Sequence, residues 1–151
     1  MRRRILLLVV LVGLSVTVGF AQSNALIDQV LEQKKVGYSY AAYLVLSGAG
    51  IIQDTSTPEQ AMEALKQQDW GIKVPEEPTD ISLGQYAYFI MRAFDIQGGI
   101  MYRLLPGARY AAREIAYLGF VADNPSPYRG LSGEEALQIL NNVLAWKEEQ
   151  Q

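Results

Sequence analysis

The chain has 151 residues, with thirteen basic and sixteen acidic side chains, no histidine and no cysteine. Those two absences exclude serine–histidine and cysteine–histidine catalysis, the usual zinc and haem ligand sets, and any disulfide framework. The acid excess argues against nucleic acid as a partner, since that requires a basic face.

Residues 1–21 have the parts of a secretory signal: Arg2, Arg3 and Arg4, an apolar run from Ile5 to Val18, and small Gly19 and Ala21 before a cut after Ala21. The alternative is an uncleaved anchor, for which the run is short. No cysteine follows the small residues, which excludes lipoprotein processing. The leader holds three basic residues and no acid, so residues 22–151 carry ten bases against sixteen acids, a net of −6. They form one domain, long enough to bury a core.

Asn24 or Ser23 caps an amphipathic helix over 25–35, with the acid early and the lysines late. Residues 36–52 carry no charge at all. Gly48 and Gly50 break that segment before it reaches membrane-spanning length, so it reads as a helix buried on all sides. Thr57, Pro58 and Gln60 have the order of a capping box with proline at the first helical position, and Trp70-Gly71 closes that helix. After the loop KVPEEPTD, Asp80 or Ser82 caps a nearly all-apolar helix whose only charge is Arg92, the natural packing partner of 38–47.

Gly98-Gly99 and Pro106-Gly107 then impose irregular backbone. A helix over 108–118 follows, with Ala111, Ala112, Ile115 and Leu118 at core spacing and Gly119 as its stop. Beyond a turn-rich loop, Ser132 caps a last amphipathic helix, with Leu137, Leu140, Val143 and Leu144 facing inward. No alternating strand pattern occurs. The fold expected is all-α, a single compact domain of about six helices after the leader.

Three segments stack in register: VGYSYAAYLVL from Val36, ISLGQYAYFIM from Ile81 and LSGEEALQILN from Leu131, at intervals of 45 and 50 residues. Trp70-Gly71-Ile72 and Leu118-Gly119-Phe120 end the shorter helices between them. The pattern resembles degenerate repeats of S-layer homology modules, which pair a helix ending in a glycine turn with a second helix opened by a Thr-Arg-Ala-Glu-like motif. REIAYLGFVADNPSPYRGLSGEEALQILNNVL covers most of one such unit, and TDISLGQYAYFIMRAF resembles the second helix of an earlier one. Leu83-Gly84-Gln85 and Gly133-Glu134-Glu135 stand where the signature Arg and Glu belong, so the polysaccharide-holding arginine that the resemblance implies is missing. The block GGIMYRLLPGARYAARE also resembles one in exported envelope proteins of spirochaetes.

There is no phosphate loop and no dinucleotide fingerprint. The segment from Asp123 lacks the ligand series of a calcium loop. No metal ligand set, cofactor or catalytic residue is nominated. Glu76-Glu77 and Glu134-Glu135 read as solvated pairs, and a glycan-cleaving Glu114 would need a second carboxylate nearby.

The candidate ligand- or partner-binding residues are Tyr102, Arg103, Arg109, Tyr110 and Arg113, five side chains within twelve residues. Arginine forks suit carboxylates and phosphates, and tyrosine offers flat contact area. The competing account has the arginines paired with acidic helix faces and the tyrosines closing the core. The expectation is an exported, non-catalytic binding or scaffolding module, periplasmic or envelope-associated. Its partner would be peptidoglycan, another acidic envelope glycan, or an envelope protein. A cell-wall glycan-acting enzyme and a purely structural subunit of a periplasmic assembly are the alternatives.

Overall fold

The structure, a computed structural model, describes residues 24–122 and 124–150. The expected leader and the cap at Ser23 lie outside them. Among the described residues there are seven helices and no β-strand: α1 over 24–31, α2 Tyr38–Gly48, α3 Pro58–Gln67, α4 Leu83–Ala93, α5 Ile100–Leu104, α6 Ala108–Tyr117 and α7 Gly133–Glu148. The all-α expectation holds.

Local chemistry sets most boundaries. Thr57 Oγ1 accepts from the Gln60 N–H at 3.3 Å, and the Thr57 N–H donates to Gln60 Oε1 at 2.9 Å, completing the capping box. Ser82 and Gln85 repeat it at 3.3 and 3.0 Å, so Ser82 rather than Asp80 opens α4. Gly119, at φ +80, ends α6: its N–H donates to the Ala116 carbonyl, and the Phe120 N–H donates to that of Ile115. Only a left-handed residue permits that paired closure cheaply.

Four expectations shift. The regular part of α1 stops at 31, and α3 stops at Gln67, where Gln68 turns extended well before Trp70-Gly71. Residues 100–104 are helical inside the stretch expected to be irregular. In α7 the fully buried stripe is Ala136, Ile139, Leu140 and Val143, while Leu137 and Leu144 flank it half-buried.

The third repeat unit explains that rotation of α7. A Cβ on Gly133 would lie 1.6 Å from the Val30 carbonyl oxygen, so α7 begins in van der Waals contact with the backbone of α1. Further along, Leu140 packs against Gly48 at the end of α2.

The stacked segments meet as three units. Each of α2, α4 and α7 opens with an N–H that lacks an intrahelical acceptor. Tyr38 donates to Thr79 at 2.8 Å, Leu83 to Arg129 at 2.8 Å, and Gly133 to Gln33 at 2.9 Å. The donors sit at the spacing of the sequence repeat, and each acceptor precedes the helix of the next unit. Ile81 also donates to Val36, and Val36 to Leu131, at 2.9 and 3.0 Å. Val36, Ile81 and Leu131 are all buried there.

Above this ring, α2, α4 and α7 contact one another and form the core. The expected packing of α2 on α4 is present, with Tyr38 and Phe89 edge to face at 5.2 Å. However, α4 packs more extensively on α6, as α2 does on α3. Buried Tyr86 ties α4 to α7 by donating to the Ala136 carbonyl at 2.8 Å.

Leu44→Ala and Phe89→Ala should each cost about 2–5 kcal/mol in chemical denaturation. Gly133→Ala should cost about 3 kcal/mol, because the methyl group meets backbone that cannot step aside. A loss below ~1 kcal/mol at any of the three would show that its contact is not part of the core.

Candidate functional site

The stretch between α4 and α6 is placed by close packing at one end and by a single side chain in the middle. At Gly98 a Cβ would lie 2.9 Å from Met91 Cε and Tyr102 Cδ1 and 3.0 Å from Glu114 Cγ. Gly98 is therefore small because the chain passes between the end of α4 and the side of α6. Gly107 is different: its backbone is extended at φ 170, and a Cβ there meets nothing within 4 Å.

Tyr102 departs from the surface placement expected of it. It is only 6% exposed and packs edge to face on Tyr88, with ring centroids 6.2 Å apart. It is the one buried residue of α5 and anchors that helix. Its hydroxyl is buried without a hydrogen-bond partner. Burial first, then Tyr88 and Glu114, push its pKa up to about 12 against an opposing pull from Arg92.

Arg103, Arg109 and Arg113 are exposed, and among the described residues none of them forms an ion pair. The alternative in which they knit acidic helix faces together lacks the ion pairs it requires. Arg109 and Arg113 are exposed on the side of α6 away from buried Ala111, Ala112 and Ile115, whereas Tyr110 is half-buried and packs against the core. Arg103 projects from α5, whose helix packing is on α6. Three of the five candidates, the arginines, are thus exposed on two helices in contact with each other, while Tyr102 is buried and Tyr110 half-buried.

Two clefts share Asp95, Ile96 and Gln97 at the start of this connection. One, of about 610 Å³, is lined by Asp95, Gly98, Glu114, Tyr117, Trp146 and Lys147. Lys147 is occupied there, donating to the Phe94 carbonyl at 3.0 Å near the negative end of α4. The other, of about 510 Å³, is lined by Trp70, Arg92, Asp95, Gln97, Tyr102 and Arg103. Asp95, at φ +51, holds the left-handed turn between them. Among the described residues no cluster of acidic side chains could hold a metal ion.

Sequence reasoning passed over three features. Asp95 joins both clefts because it takes the turn position that glycine fills after α6, a role with no side-chain pattern. Arg129 reads as part of a loop, yet its guanidinium grips both Glu135 oxygens and donates to the Asn124 and Gly130 carbonyls. It fastens that loop to α7. The third is the exposure of Ile100, Met101, Leu104 and Leu105. Their signal was a four-residue helical spacing too short to recognise.

Comparison with protein-family models, curated proteins and solved structures finds no match to this chain.

Two outcomes follow from the anchor. Tyr102→Phe removes an unsatisfied buried hydroxyl, so stability at neutral pH should be unchanged or rise by up to about 1 kcal/mol. Because the folded pKa lies above the ordinary ~10, the unfolded chain ionises first, and stability present below pH 10 is lost between about pH 10 and 12. Denaturation across that range should show a shallower loss in the variant, although Tyr38, also raised to about 12, still contributes. Separately, Gly98→Ala should cost about 1–3 kcal/mol and Gly107→Ala less than ~0.5 kcal/mol. Equal costs would mean that the link is not clamped at Gly98.

Proposed function

We propose that the protein is an exported, non-catalytic binding or scaffolding module of the cell envelope that holds an anionic partner on the surface of Arg103, Arg109, Tyr110 and Arg113. The observation that carries this reading is that, among the described residues, the three arginines form no ion pair in a chain with an acid excess. An arginine that spans no acidic neighbour keeps its full fork of donors for a carboxylate or phosphate. Peptidoglycan, another acidic glycan or an acidic face of an envelope protein offers such groups. The three-unit ring supports the repeat on which the resemblance to S-layer homology modules rests. The α6–α7 unit has the corresponding order of helix, glycine turn and second helix.

A second reading, a glycan-cleaving enzyme, has one observation in its favour. Asp95 and Glu114 line the same cleft beside Trp146 and Tyr117, supplying the second carboxylate that Glu114 needs. Glu135, by contrast, is held by Arg129.

Arg103→Ala with Arg109→Ala should reduce capture on purified cell-wall sacculi at least tenfold, with a melting temperature within about 2 °C of the parent. Capture should weaken with salt. A double mutant that binds as the parent does, or melts far lower, would overturn the binding reading. Release of reducing sugar from the sacculi, lost in Glu114→Gln, would establish the enzyme instead.

A further inference from the structure

Apolar exposure on this protein is concentrated in one place. Of the eight large hydrophobic residues strongly exposed among the described residues, Ile100, Met101, Leu104 and Leu105 fall within one short segment. Ile100 and Leu104 are 73% and 70% exposed and stand one turn apart on α5. A single buried side chain, Tyr102, holds that helix down. Such a cluster on a small protein marks an interaction site.

The charge around it identifies the partner. From Ile96 to Arg113 there is no acidic residue, and the three bases in that span are the arginines without ion pairs. Arg103 lies on α5 itself, between Met101 and Leu104, while Arg109 and Arg113 lie on the adjoining helix. Tyr110 and Tyr117 share α6 with them, and Tyr117 is 88% exposed. Apolar side chains at a tip, flanked by arginine and tyrosine, match the layered chemistry of a bilayer interface. There acyl chains lie beneath anionic phosphates, and tyrosine favours the boundary.

No helix among the described residues is long and apolar enough to cross a membrane. At 1.5 Å per residue α5 is about 7.5 Å long, which suits shallow seating among headgroups. A protein partner would need a concave apolar socket rimmed with acid. An anionic bilayer needs no preformed shape, and a short helix with exposed apolar side chains suits it better.

We infer that α5 is an interfacial membrane-docking element, with Ile100, Met101, Leu104 and Leu105 entering the headgroup region of an anionic bilayer and Arg103, Arg109 and Arg113 contacting lipid phosphates. This shares the arginine surface of the proposed function and rests on it to that extent. The apolar side chains are its separate support.

The absence of cysteine allows one probe per molecule. An environment-sensitive fluorophore on Leu104→Cys in the full chain reports α5 directly, whatever the N-terminal segment does. The control carries the label on Glu32→Cys, an exposed position just beyond α1. Phosphatidylglycerol vesicles should raise the Leu104 emission about threefold with a blue shift, phosphatidylcholine vesicles should not, and salt should reverse the effect. The Glu32 label should stay unchanged. Adding Arg103→Gln, Arg109→Gln and Arg113→Gln should remove most of the response.

No response at Leu104, an equal response to both lipids, or an equal response at Glu32 overturns the inference. So does a blue shift that grows with protein concentration without vesicles, which would assign α5 to self-association. The same labelled protein is tested on sacculi. Capture there with no vesicle response sinks this inference alone. A vesicle response with no arginine-dependent capture sinks the glycan or protein partner alone.

Discussion

The ring of backbone hydrogen bonds through the openings of α2, α4 and α7 is the constraint on which the rest depends. A helix begins with N–H groups that its own turns cannot satisfy, and burying them unpaired is costly. Here Tyr38, Leu83 and Gly133 sit at the buried meeting point of three units, and each is satisfied by a carbonyl of the next. That solution fixes the relative position of the helix starts. Gly133 shows how tight it is, since any side chain there would occupy the Val30 carbonyl.

Once the starts are fixed, the shorter helices have little choice. The face of α4 turned away from the ring axis must be covered, and α6 covers it through Ala111, Ala112 and Ile115. The chain must run from the end of α4 to the start of α6, and Gly98 lets it pass between Met91 and Glu114. α5 is what remains of that connection. It contributes one side chain to the core and presents the others outward. The most exposed chemistry of the protein therefore hangs from one of its best-packed helix pairs.

Local signals were legible in the sequence because their physics is local. The capping boxes at Thr57 and Ser82 and the glycine stop at Gly119 need only residues within one turn of each other, and all three form. The repeat was legible because the same junction is built from Val36, Ile81 and Leu131. What stayed hidden depends on distant partners. The rotation of α7 is set by α1, a hundred residues earlier in the chain, so periodicity alone chose Leu137 and Leu144 over Ala136 and Ile139. Tyr102 and Tyr110 read alike as sticky surface residues. Distant partners, Tyr88 and the Gly98 link among them, bury the first, while the second stays half-buried. Of the candidate site, the arginines were readable because charge resists burial. The apolar tip was not, because isolated leucines read as core wherever they occur.

The contrast between Arg129 and the three arginines near α5 bears on function more than any cleft does. Arg129 shows how this fold uses a structural arginine: it is held by a carboxylate and two loop carbonyls and is partly withdrawn from solvent. Arg103, Arg109 and Arg113 form no such ion pair, although Glu114 lies beside Arg113 in sequence and Asp95 lines the same cleft as Arg103. Glu114 is turned toward the Gly98-Gly99 link. Glu114 thus faces the link and Asp95 forms its turn, while Arg103, on the same short helix as exposed Ile100 and Leu104, and Arg109 and Arg113 on α6 are exposed. Packing demands neither the outward arginines nor the exposed aliphatic residues, since Tyr102 is the one side chain of α5 that is buried. Their concentration in one short segment is better explained by something that contacts it than by anything the fold requires.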